Sequence, residues 1–431
     1  MMIVACTCHR FLKAAVLAVL ILTTQSLADA EETTVSPTKA DKASFAEMQL
    51  GLFVHYVYAH GGHTGTQRPN GAAVGLDELA DNLDVDDLAA CAAEMRAQYV
   101  QFTTWHANMN ALYPSKVLQD RLPGHCARRD VIADLIRALR AKNIRLILYI
   151  HPSDGHDFSR ADQDRVGWND APPYVRWNDF VSDVVAELVD RYGKDVSGYY
   201  IDGGLPPQIN PSRLRKTILQ RQPKAWLIQN SGLNRDCVDY GSREEVKPPF
   251  SATTWQMASV MTKNWFAEPG GSVSIRPEFA YQYAILQSAV SGRRGGGLAC
   301  AFGPYPGGQW ESGLRDFTKR LGSLVDRARP SFFDTRPSAA YVTKEGQPLK
   351  GLPYAATESR DGKKTYVHVF LPPRGRVLCL PPPADGRRFS TAKLLPGGGQ
   401  VTLTQTDAAV QLTLGPADRW DDVDTILVLE Q

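Results

Sequence analysis

Three histidines, His55, His106 and His151, end successive predicted strands of this 431-residue chain, and Asp202 ends the next. Asn230 ends a fifth, and Glu244 follows in a predicted loop. Strands running parallel around one barrel would bring these polar side chains together at its C-terminal mouth, where such barrels do their chemistry. Zinc hydrolysis would want a His-x-His pair or a His-Glu-x-x-His helix, and neither occurs. A Gly-x-Ser-x-Gly elbow and a Gly-Lys-Ser/Thr phosphate loop are also missing. That leaves carboxylates among aromatic side chains. Tyr56, Trp105, Tyr149, Tyr199, Tyr200, Trp255 and Trp265 fall in or near predicted strand ends and loops. Aromatic faces suit the C–H faces of a sugar, and the same rings suit a core equally well. A retaining glycosidase needs one ionised carboxylate as nucleophile and a protonated one about 5–5.5 Å away as acid/base. Asp202 fits the first role, and Glu244 or Glu245 the second.

The segment that must deliver Asp202 is Gly198-Tyr199-Tyr200-Ile201-Asp202-Gly203-Gly204. A short apolar run ends in one carboxylate, and two glycines let a ligand approach the backbone. An Asp there also suits the cap of the next turn or helix. Further strands are predicted at 52–57, 99–104, 144–150 and 225–229. Helices are predicted at 84–97, 130–142, 178–192 and 212–221, with Asp130 opening the second and Gly193 C-capping the third. Strand–helix alternation with nearly unbroken apolar strands predicts a parallel sheet covered on both faces. Residues 45–336 suit a (β/α)₈ barrel in length. A doubly wound open sheet shares the alternation, but the first strand lacks the Gly-rich dinucleotide turn. Past Pro337, β-rich runs at 365–371, 390–395, 401–405, 410–414 and 425–429 alternate with Gly, Pro and Asp clusters. They predict a C-terminal antiparallel β-sandwich over 337–431.

A net charge of +2 and 43% hydrophobic residues give no push toward nucleic acid or an anionic membrane. His9, Arg10 and Lys13 precede an apolar run at 14–22, and Ala28-Asp29-Ala30 offers a cleavage site before Glu31. A signal peptide over 1–30 is expected, and with it a secreted or periplasmic chain without a membrane anchor. The polar stretch 31–44 reads as a disordered leader. Beyond the signal, Cys91, Cys126, Cys237, Cys300 and Cys379 show neither metal-ligand spacing nor a disulfide framework. At most two disulfides could form, and most of these residues suit packing.

Six segments in order, 50–56, 99–106, 192–204, 239–244, 295–304 and Thr335-Arg336-Pro337, resemble glycoside hydrolase family 29, the retaining α-L-fucosidases. The resemblance spans essentially the whole mature chain. It implies a barrel followed by a sandwich, and hydrolysis of fucosylated or related glycans through a glycosyl-enzyme ester without cofactor or metal. It also implies that Asp202 is the nucleophile and Glu244 the acid/base, with Glu245 an alternative. His55 and His106 would bind sugar hydroxyls, and Tyr149 and Trp265 would line the pocket; Trp105 and Asn230 are further expected substrate contacts. The chain departs from the family at His106-Ala107-Asn108, where two adjacent histidines and an Asp are usual. It also lacks a clear arginine after the fifth strand, where Arg235 or Arg243 could substitute. Gln256 replaces a common Trp-Glu pair, and Gly297-Leu298-Ala299 lacks the usual Asn. Such departures suit either a changed sugar specificity or a carbohydrate-binding protein on a fucosidase-like scaffold.

Overall fold

A computed structural model describes residues 45–58, 65–106, 108–245 and 250–431. The predicted signal and leader, 1–44, and Ala107 lie outside the described residues. Eight parallel strands close in sequential order: β1 (Leu50–Val54), β2 (Tyr99–Thr103), β3 (Arg145–Ile150), β4 (Gly198–Ile201), β5 (Trp226–Asn230), β6 (Tyr240–Glu245), β7 (Gln256–Val260) and β8 (Leu298–Ala301). Pairing of β1 with β8 completes the barrel. The connecting segments carry α1 (Leu76–Asp81), α2 (Val85–Glu94), α3 (Lys116–Arg121), α4 (Val131–Arg140), α5 (Arg160–Val166), α6 (Val175–Tyr192), α7 (Pro211–Leu219), α8 (Pro277–Ala289) and α9 (Leu314–Phe332). Among the described residues, the connections from β5 to β6 and from β6 to β7 contain no helix.

Sequence explains these elements locally. Helix α4 buries Val131, Ile132, Leu135, Ile136 and Leu139 along one stripe. The Asp130 carboxylate caps it by accepting from the Ala133 N–H, as expected from its place. Gly193 does stand at the C-cap of α6, but in right-handed geometry, so no left-handed turn requires it. Close packing does: a Cβ there would lie 2.6 Å from the Val189 carbonyl oxygen.

Along each strand alternate residues point into the barrel. Phe53, Tyr99, Ile147, Tyr149, Tyr200, Trp226, Ile228, Tyr240, Ala258, Val260, Ala299 and Ala301 form that interior, with Phe45. Glycine makes room for the large rings. A Cβ on Gly51 would lie 2.3 Å from the Tyr99 ring. The same alternation carries His55, His151, Asp202 and Glu244 inward, each two residues beyond a buried interior position. Glu244, expected in a loop, instead lies on β6. Tyr240, Ser242 and Glu244 face in, and Gly241, Arg243 and Glu245 face out. A strand polar on both faces has no apolar rhythm to reveal it.

The chain leaves the barrel through α9 and enters β9 (Thr335–Pro337), followed by β10 (Tyr354–Ser359), β11 (Lys364–Val369), β12 (Val377–Leu380), β13 (Thr391–Leu395), β14 (Gln400–Gln405), β15 (Val410–Leu414) and β16 (Thr425–Glu430). These form one antiparallel sheet in the order β12-β15-β14-β13-β16-β11-β10-β9. It curls over a shared core, so Val367, Val369, Leu427 and Leu429 pack in one cluster with Leu380, Val410, Leu412 and Leu414. The sandwich is therefore one continuous sheet folded on itself. A buried network ties it to the barrel helices. Tyr281 on α8 donates to Asp424 Oδ2 at 2.6 Å, and His368 Nδ1 lies 2.7 Å from the same oxygen. Arg327 on α9 donates to Asp421 at 2.6 Å. All five described cysteines are free. Among the described residues no helix is long and apolar enough to cross a membrane.

Candidate active site

Strand register brings the functional side chains together. Ile150 pairs with Ile201 and Ile201 with Gln229, so the next residues, His151, Asp202 and Asn230, stand side by side at the barrel mouth. Tyr149 Oη donates to Asp202 Oδ2 at 2.5 Å, and Asn230 Nδ2 donates to Oδ1 at 2.8 Å. Both carboxylate oxygens are thus engaged across the barrel, and Asp202 does not cap the next helix. The helix that follows, α7, is capped by Asn210 instead. Gly203 has φ of +78°, and a Cβ on it would lie 2.3 Å from His151 Nε2, so both its conformation and its neighbour require glycine.

Glu244 reaches the same place from β6. Tyr200 Oη donates to its Oε1 at 3.1 Å, and the Asn230 amide that holds Asp202 stands close enough to favour the charged form of Glu244 as well. Glu245, the alternative, faces outward toward Tyr283 of α8. Arg243 also points outward, and Arg235 is exposed, so neither occupies the pocket. Gln256 is buried lower in the barrel, donating to Tyr99 Oη at 2.8 Å and Gln101 Oε1 at 2.6 Å.

The two carboxyl groups are driven apart electrostatically. Burial and the charge of Asp202 push Glu244 up to about 8, against weaker opposition from the Tyr200 and Asn230 hydrogen bonds. Burial also pushes Asp202 up, but the His151 charge and hydrogen bonds from Tyr149, Asn230 and the Gly203 N–H outweigh it. They hold Asp202 below the usual carboxylate range. At neutral pH one group is ionised and its neighbour holds a proton. A pair separated in this way has one nucleophile or base and one acid.

Around them stands a ring of aromatic and imidazole groups. His55 lies 5.4 Å from Tyr149, 5.1 Å from Trp265 and 5.7 Å from Phe266 between ring centroids. His106 stacks on Tyr149 at 5.7 Å. Burial keeps His55 neutral, down to about 3 with help from His106, and burial also lowers His106. Nδ1 of each ring and Nδ2 of the buried Asn108 have no hydrogen-bond partner among the described residues. Trp105 differs: its indole N–H donates to the His151 carbonyl at 3.1 Å, so it braces the pocket wall from behind. The sequence reading did not single out Phe266 or Asp154, and took Tyr200 only as a wall. The Trp265-Phe266 pair between polar loop residues was the available signal for the first.

The fold recurs in solved structures. α-L-Fucosidase isoenzyme 1 from Paenibacillus thiaminolyticus shares 17% identity at a TM-score of 0.67, covering 90% of this chain and 98% of its own. An α-L-fucosidase from Vibrio sp. strain EJY3 shares 18% at 0.69, covering 92% and 73%. A family 29 α-L-fucosidase from Bacteroides thetaiotaomicron, trapped as a covalent intermediate in complex with 2-fluoro-fucosyl fluoride, shares 17% at 0.66, covering 92% and 97%. At such identities the likeness shows the fold. Comparison with curated protein sequences finds no match. The family model described as alpha-L-fucosidase matches residues 79–327, more than half of the chain and every segment that builds the paired carboxyl groups. The chain belongs to the α-L-fucosidase family of glycoside hydrolases, family 29.

Proposed function

We propose that this chain is a retaining exo-glycosidase that removes terminal α-L-fucosyl or closely related residues from glycans. The observation that carries the reading is the convergence of two carboxyl groups at the barrel mouth, Asp202 held by Tyr149 and Asn230 and Glu244 by Tyr200, in surroundings that lower the first and raise the second. Asp202 attacks the anomeric carbon and forms an ester as the glycosidic C–O bond breaks, and Glu244 gives its proton to the leaving oxygen. Glu244 then takes a proton from the incoming water, which displaces Asp202 and restores both groups. The trapped covalent intermediate of the Bacteroides relative supports a double displacement. His55, His106 and Asn108 receive the sugar hydroxyls, and Tyr149, Trp265 and Phe266 its apolar face.

The test is hydrolysis of an aryl α-L-fucoside followed by proton NMR. The first product to appear should be the α anomer. Asp202→Asn should abolish turnover, and azide should restore turnover of an activated fucoside by Glu244→Ala, giving the α-fucosyl azide. A β product would overturn the retaining mechanism, and a folded chain that binds fucose without turnover would favour a carbohydrate-binding protein. We also propose export, supported by the signal-like sequence at 9–30. The N-terminus of the mature chain should then be Glu31.

A further inference from the structure

The residues so far assigned do not account for Asp154. It is fully buried in the turn after β3, and among the described residues its ion-pair partner is His151. The pair is built in rather than incidental. His151 Nδ1 meets Asp154, its backbone carbonyl accepts from Trp105, and Nε2 packs against the backbone of Gly203, the residue after Asp202. A Cβ on Gly203 would also lie 2.4 Å from Ser153 Oγ, which donates to the Gly203 carbonyl at 3.2 Å. The turn after β3 and the end of β4 are therefore locked together across this imidazole.

We propose, on the reading of Asp202 as nucleophile, that His151 and Asp154 form a positioning pair whose retained proton sets a fixed positive charge beside Asp202. The charge has a task that hydrogen bonds alone meet poorly. Asp202 and Glu244 are half-buried neighbours whose charges act on each other, and a proton placed on Asp202 would disarm the nucleophile. A cation on the Asp202 side, away from Glu244, breaks the symmetry between them. Burial alone would strip His151 of its proton, but Asp154, seconded by Asp202 and Asp157, reverses that and lifts it to about 9. The other titratable groups facing the imidazole are His106 from the loop after β2, Tyr149 on β3 and His156 in the turn, with ring centroids at 5.3, 6.5 and 6.2 Å. Burial lowers His106, whereas Asp154 raises His151, so of the two imidazoles His151 is the one its surroundings favour in the charged form.

The experiment compares wild type with His151→Gln and Asp154→Asn by two readouts. The first is the acid limb of kcat/KM against pH on the aryl fucoside. The second is the carboxyl ¹³C titration of Asp202 in aspartate-labelled protein, assigned by its disappearance in Asp202→Asn. Loss of the nearby charge should move both midpoints up by about one pH unit or more. Well below the wild-type midpoint, on the acid limb itself, a one-unit shift costs about tenfold in kcat/KM, falling to about twofold at the edge of the plateau. His151→Lys, which keeps a cation, should recover part of the shift. Acid midpoints unchanged in both variants would overturn the proposal, whatever the fall in kcat. If His151→Gln fails to fold, Asp154→Asn and the imidazole ¹⁵N titration of wild type decide, a neutral His151 at pH 7 being the adverse result. A folded wild type without turnover would count against the hydrolase reading, and the carboxyl titration would still test the charge by itself.

Discussion

Tyr200 and Asn230 are the residues through which the pocket's protonation is adjusted, and both were open to reading only in part. The Tyr200 hydroxyl donates to Glu244, which favours the ionised carboxylate, so removing it works in one direction. Tyr200→Phe should raise the alkaline limb of kcat/KM, set by loss of the Glu244 proton near 8, by about one pH unit. The pH profile of that variant checks it, and a downward shift would mean that Glu244 is not the group titrating. Asp202 could be singled out from sequence because an apolar strand ended on it. The position of Glu244 could not, because Tyr240-Gly241-Ser242-Arg243-Glu244 alternates between two polar faces. Asp154 was invisible for another reason: an acidic residue in a Pro-Ser-Asp-Gly turn reads as solvated, and only the fold buries it under His151.

At the scale of elements, the end of β4 is the most constrained piece of backbone at the mouth. Gly203 and Gly204 both take positive φ, but only the first has neighbours where a Cβ would go. Gly203→Ala must displace His151 or the strand end, and a misplacement of about 1 Å at a reacting group costs about 100-fold in rate. Gly204→Ala bears only the conformational penalty, about 1–2 kcal/mol, and should keep most of its kcat. Steady-state kinetics of the two variants, with thermal melts beside them, would separate these effects; equal losses of kcat would contradict the asymmetry. Most of the barrel's elements were legible: β2, β3, β4 and β5 are runs of apolar residues, and α4 and α6 have clear stripes. The short β7 and β8 were not, since Gln256-Met257-Ala258-Ser259-Val260 and Leu298-Ala299-Cys300-Ala301 are small residues fitted to interior rings contributed by other strands.

For the whole molecule, the joint between barrel and sheet is a stability question. Tyr281, Asp424 and His368 meet in a buried site, and removing one partner leaves the others unsatisfied. Tyr281→Phe should cost about 1–3 kcal/mol in global stability with kcat unchanged, read by denaturant unfolding and kinetics together. Barrel and sheet should still unfold in a single transition. Five of the sheet's strands, β11 and β13 to β16, could be found as β-rich runs between turn clusters. Its three missed strands, β9, β10 and β12, join short or small-residue segments to neighbours remote in sequence.

Only Phe333 and Asp334 separate α9 from β9, and further along the chain Ser251 bridges to Pro348 and Val290 to Thr343. A link that short, stitched again on both sides, leaves no hinge. Enzymes that capture substrate by swinging one lobe over another depend on a slack connection, and none joins these two layers. The curled sheet therefore serves as a fixed brace on the barrel helices rather than as a lobe that swings.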